Sequence, residues 1–161
     1  MLPEIKTILY ASDLGKNTRP AMRLAASIAK QHNARVVYLH VLEPLADTAR
    51  ALVGAYYSDE DIDAKYQESL ESTRVYMERR IGAFHQEEMG DTEAPFETAV
   101  MVKSGQIEEV ILDVANSVKA DMIVMGSRTH SMMGRMMMGS SATKIVHTSK
   151  IPVLVVPLTQ G

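Results

Sequence analysis

Met125 to Val146 reads MGSRTHSMMGRMMMGSSATKIV: it leaves a short apolar run, crosses a stretch of glycine, serine and methionine, and enters a helical pattern at Gly139-Ser140-Ser141. An apolar run delivered through a glycine-containing loop into a helix start is half of a βαβ unit. The rest of the chain repeats the pattern. Ile5–Ala11, Val36–Leu42, Met122–Met125 and Val153–Val156 are nearly continuous apolar runs, as strands buried on both faces require. Phe96–Lys103 alternates instead, with Phe96, Thr98, Val100 and Val102 on one side, and reads as an edge strand.

Helical patterns separate these runs. Ala21, Leu24, Ala25, Ile28 and Ala29 follow a cap at Asn17 or Thr18 and an early Pro20. A second helix is predicted from about Asp59 to Met89, with Ile62, Tyr66, Leu70, Thr73, Met77 and Phe84 on one face and Gly90 as its stop. Ile107, Val110, Ile111, Val114, Ala115 and Val118 mark a third, and a fourth starts at Gly139, Ser140 or Ser141 and ends near Lys150, before Pro152. Strand and helix alternate with connections long enough for right-handed crossovers, so the fold class is doubly wound α/β with a parallel sheet covered on both faces. Glu43–Ser58 and Gly126–Met138 read as long loops after strand carboxyl ends, where open α/β sheets bind ligands.

At 161 residues, 46% hydrophobic and 23% charged, the chain fits one globular domain over residues 1–161. The formal charge of −3 disfavours nucleic acid and anionic membrane as partners. Cysteine is absent, which removes disulfides, thiolate zinc sites and thiol catalysis together. With no leader pattern at the N-terminus and no apolar stretch of spanning length, the expected location is cytoplasmic.

Gly126 and Gly139 permit close backbone approach, and the amides of Ser140, Ser141 and Ala142 are unpaired donors at a helix start, reinforced by the macrodipole. That set can cradle a phosphate. The same residues also suit a plain strand end and a plain helix cap. Asp13, in DLGKN, is either a ligand acceptor or a turn residue taking backbone amides. Arg128 can bond a phosphate or sit solvated on its loop. Of the twelve methionines, seven lie between Met122 and Met138; adaptable packing is the first reading, ahead of a soft metal or oxidation. The five histidines form no metal-ligand spacing.

The segment Gly126, Thr129, Gly139, Ser140 resembles the fingerprint of the universal stress protein family, Gly, two residues, Gly, nine residues, Gly, then Ser or Thr, with Thr129 in place of the second glycine. ILYASDLG, LHVLEP, ADMIVMG and IPVLVVP resemble that family's strands and carry the likeness along the whole chain. The resemblance implies a five-stranded parallel sheet in the order 3-2-1-4-5, reversing between strands 1 and 4. It also implies ATP, alone or with Mg, as the ligand. Ala11, Asp13 and Val41 would frame adenine and ribose, and Gly126, Arg128, Gly139, Ser140 and Ser141 would surround the phosphates.

A homodimer through the last strand follows on two grounds. Val153, Leu154, Val155 and Val156 read as fully buried in a strand expected at a sheet edge, and the family pairs there. The leading expectation is a stress-response binding module without catalytic residues, with ATP hydrolysis at most slow. Two alternatives compete: a nucleotide-free interaction protein of the same fold, in which Thr129 marks a lost phosphate site, and, last, an adenylating enzyme.

Overall fold

β1 (Thr7–Ala11), β2 (Arg35–Leu42), β3 (Thr98–Ser104), β4 (Met122–Arg128) and β7 (Val153–Leu158) form one sheet in the order β3-β2-β1-β4-β7, every neighbouring pair parallel. This is the 3-2-1-4-5 order, β7 being the fifth strand of the sheet. The computed structural model describes residues 1–15, 17–91, 94–128, 130–132 and 135–158, and of 128, 130–132 and 135–137 it describes the backbone.

The central stretches of the strands are apolar because they feed two cores. Ile8, Tyr10, Val36 and Tyr38 point to the layer under α1 (Arg19–His32) and α3 (Asp59–Met89). Leu9, Ala11, Val37 and Leu39 point to the layer under α4 (Ile107–Ser117) and α5 (Ser140–Thr148). α1 buries Ala21, Ala25, Ala26 and Ala29, and such small side chains let a helix lie close on a sheet. α3 begins and ends where its sequence says. The Ser58 hydroxyl accepts the Asp61 amide at 3.1 Å, three acidic residues occupy the first turn, and Gly90 closes the helix at φ 79°.

Two expected loops carry more structure than their sequences announced. Glu43–Ser58 contains α2 (Asp47–Gly54), which buries none of its residues and is tied to α3 by Arg50 bonding Asp59 and Asp63 at 2.9 Å each. Gly126–Met138 is taken up by the end of β4 and by the antiparallel pair β5 (His130–Met132) and β6 (Arg135–Met137). β7 lies at the sheet edge as expected: Val153, Leu154 and Val155 are half-buried in the single chain, Val156 is buried, and among the described residues no strand pairs with its outer side.

Candidate functional site

From β1 the chain builds outward through β2 and β3, then returns across the sheet to β4 and β7, so the connections leaving β1 and β4 diverge. Divergence at the carboxyl ends opens a crevice at this switch point. Its volume is about 970 Å³, and Ala11, Asp13, Val41, Gly126, Gly139, Ser140 and Ser141 all line it. Arg128 is placed by its backbone at the end of β4, and its side chain and all of Thr129 lie outside the described residues. Leu39, Ile111 and Met125 give the crevice a buried apolar floor.

One wall is the β1–α1 connection. The Ser12 amide donates to the Leu39 carbonyl at 2.8 Å, and the Ser12 hydroxyl accepts the Leu14 amide at 3.1 Å. Asp13 is exposed, and its Oδ1 accepts the Gly15 amide at 2.9 Å, so the turn role foreseen for this residue is real and coexists with its place in the crevice. Leu14 and Asn17 have φ of 56° and 64°, left-handed values that non-glycine residues seldom adopt. Side chains from elsewhere hold this shape. His40 Nδ1 meets the Ser12 carbonyl at 2.7 Å; a carbonyl only accepts, so Nδ1 carries a proton and donates it to this bond. The Arg80 guanidinium, on α3, donates to the carbonyls of Leu14 at 2.8 Å and Gly15 at 2.9 Å and to the Thr18 hydroxyl at 2.7 Å.

The other wall is the β4–α5 connection. Ser127 is buried, and its hydroxyl accepts the Gly139 amide at 3.0 Å, fixing the start of α5 to the end of β4. The Thr143 amide donates to the Gly139 carbonyl at 2.9 Å, which leaves the amides of Ser140, Ser141 and Ala142 directed out of the first turn. Gly139 has φ −58°, open to any residue, so only its missing side chain is special. At Gly126 a Cβ would lie 2.8 Å from Leu158 Cγ, so the Leu158 side chain or β7 itself must shift before another residue can stand there, apart from any approach of a ligand.

Ser141, expected beside the phosphates, donates its hydroxyl to Glu108 Oε1 at 3.1 Å, with Lys144 Nζ 3.5 Å from the same oxygen. Glu108 lies at the start of α4. Its own backbone amide, then the Ser141 hydroxyl and Lys144, hold its carboxyl below the usual range against the opposing effect of burial. Ser140 is exposed. No group of three or more metal-ligating side chains occurs among the described residues.

Sequence reasoning missed His40, Arg80, Ser127, Glu108 and Lys144. Ser127 follows Gly126 directly and was there to be found, whereas Arg80 lies 66 residues from the Leu14 carbonyl it bonds.

A model of the universal stress protein family matches residues 4–157. A curated relative, a universal stress protein of Thermus aquaticus encoded beside a QAH/OAS sulfhydrylase, is 32% identical over 151 residues, covering 94% of this chain and 98% of its own length. Among solved structures, UspA from Lactobacillus plantarum superposes with a TM-score of 0.68 at 22% identity, covering 96% of this chain and 99% of that one. The universal stress protein of Archaeoglobus fulgidus in complex with dAMP gives 0.55 at 21% identity, over 94% and 97%.

Proposed function

This chain belongs to the universal stress protein family, and from that premise we propose that its crevice binds an adenine nucleotide, ATP alone or with Mg²⁺, in a homodimeric cytoplasmic protein of the stress response. The observation that carries the reading is the composition of the two walls around one apolar floor. A purine needs an apolar slot with a few fixed polar groups at its edge, and Leu39, Val41 and Met125 lie beside the carbonyl-rich turn that carries Asp13. Phosphates need amide donors that require no reorganisation, and the first turn of α5 supplies three. The dAMP complex of the Archaeoglobus relative supports the choice of base. Mg²⁺ would be held by the phosphates and water.

The reading is of binding. Among the described residues lining the crevice, none pairs a nucleophile with a base, and hydrolysis is expected to be slow or absent. No helix among the described residues is long and apolar enough to cross a membrane.

Thermal unfolding with Mg-ATP, AMP or GTP tests the site. At a hundredfold excess over the dissociation constant, ATP should stabilise by about 2.7 kcal/mol, several degrees for a domain of this size. No shift with any nucleotide overturns the reading. The half-buried edge at Val153, Leu154 and Val155 supports pairing with the same strand of a second copy, and a monomer in sedimentation at micromolar concentration would refute it.

A further inference from the structure

α3 lends no residue to the lining of the crevice, yet one of its side chains decides the shape of a wall. Arg80 spends three donated hydrogen bonds on the β1–α1 connection: to Leu14 O, Gly15 O and Thr18 Oγ1, all between 2.7 and 2.9 Å. These acceptors are unusual. Leu14 is itself left-handed, Asn17 is left-handed three residues on, and Thr18 is buried at the cap of α1. Two such non-glycine conformations in one short turn persist only where surrounding contacts over-determine them. A planar guanidinium with several fixed N–H donors can span two neighbouring carbonyls and a hydroxyl at once, and it stays charged at every physiological pH.

We propose that Arg80 is a positioning residue for the base-and-sugar half of the nucleotide site, holding the turn that presents Asp13 in its receiving conformation. The proposal rests on the adenine-nucleotide reading of the crevice. Without the guanidinium, the Leu14 and Gly15 carbonyls lose its donors and the left-handed residues are left to the weaker hold of the Ser12, Asp13 and His40 bonds, so the receiving conformation becomes a fraction of an ensemble. Apparent affinity falls by that fraction. The β4–α5 wall is tied through Ser127, Gly139 and Thr143 and shares no bond with Arg80. The loss is therefore one-sided, which separates positioning from general destabilisation.

The test is calorimetric binding of three probes, ATP, adenosine and inorganic tripolyphosphate, to wild type, Arg80→Met and Arg80→Lys, with amide exchange at Gly15 read in the absence of ligand. Arg80→Met keeps the aliphatic stem and removes the donors. It should weaken ATP and adenosine about tenfold, the scale of one charge-assisted bond, while tripolyphosphate stays within about twofold and Gly15 exchanges faster. Arg80→Lys, which can reach one carbonyl at a time, should fall between the two and serves alone where Arg80→Met does not fold.

Equal loss of adenosine and tripolyphosphate overturns the proposal in favour of a merely structural arginine. So does unchanged affinity for all three, or unchanged Gly15 exchange. Wild-type protein that binds none of the probes overturns the nucleotide reading, and this proposal with it, and is recognisable because it appears before any substitution is made.

Discussion

The two walls of the crevice are built on opposite plans. The β1–α1 wall is short, carries two left-handed residues, and is held from outside by His40, 28 residues from its Ser12 partner, and by Arg80, 66 residues from Leu14. The β4–α5 wall is held mainly from within, by Ser127 on Gly139 across 12 residues and by Gly139 on Thr143. The first stores strain and depends on tertiary contacts; the second depends on the Ser127 bond to Gly139 and on the missing side chain at Gly126. Damage to the first should alter affinity for base and sugar with little loss of fold. Damage to the second should reach the sheet itself.

The sharpest break of that contrast is at Gly126. Gly126→Ala places a methyl against Leu158, so either the leucine leaves its rotamer or β7 moves away from β4, and stability should fall by about 1–3 kcal/mol in urea denaturation. The double variant Gly126→Ala with Leu158→Ala should recover part of that loss relative to the sum of the single changes, because the clash has gone. Strict additivity would mean that the glycine serves something other than β7.

Next in size is Ser127→Ala. Removing the buried hydroxyl takes away the acceptor of the Gly139 amide, at a cost of about 1 kcal/mol, and loosens the start of α5. Tripolyphosphate should bind less tightly while adenosine holds, the mirror image of the Arg80 variants. If both probes weaken together in calorimetry, the walls are coupled and the contrast is wrong.

The same contrast explains what could be read from the chain. The strands themselves were legible as apolar runs, because a strand buried on both faces has few polar positions to confuse it, whereas their order came from the family resemblance. α3 was found from Asp59 to Met89 because its apolar spacing and the Gly90 stop are local signals that need no tertiary context; the Ser58 cap is a further local signal that went unread. α2 was missed because it is only eight residues long and packs none of them into the core. Seven predicted site residues meet in one crevice because they sit at strand ends and a helix start, positions that topology brings together without any choice of rotamer. Their roles were less legible. The commitment of Ser141 to Glu108, and the reason for glycine at 126, lie in partners 33 and 32 residues away that no local pattern announces.

The smallest effect is the most specific. Glu108 links the start of α4 to α5, and its carboxyl is held below its ordinary value first by its own amide, then by Ser141 and Lys144. A carboxyl whose pKa is lower in the folded state contributes stability above the unfolded value of about 4.3 and loses it as pH falls through the depressed folded value. Lys144 is 64% exposed, so water screens its share, and the bond to the Ser141 hydroxyl is the part that Glu108→Gln weakens. At pH 7 that change should cost about 0.5 kcal/mol or less. The difference from wild type should hold down to about pH 5 and close as pH falls from there through the depressed folded value in a series of urea midpoints. A difference that persists unchanged at acid pH would assign the effect to packing and leave the second wall without a charged tie to α4.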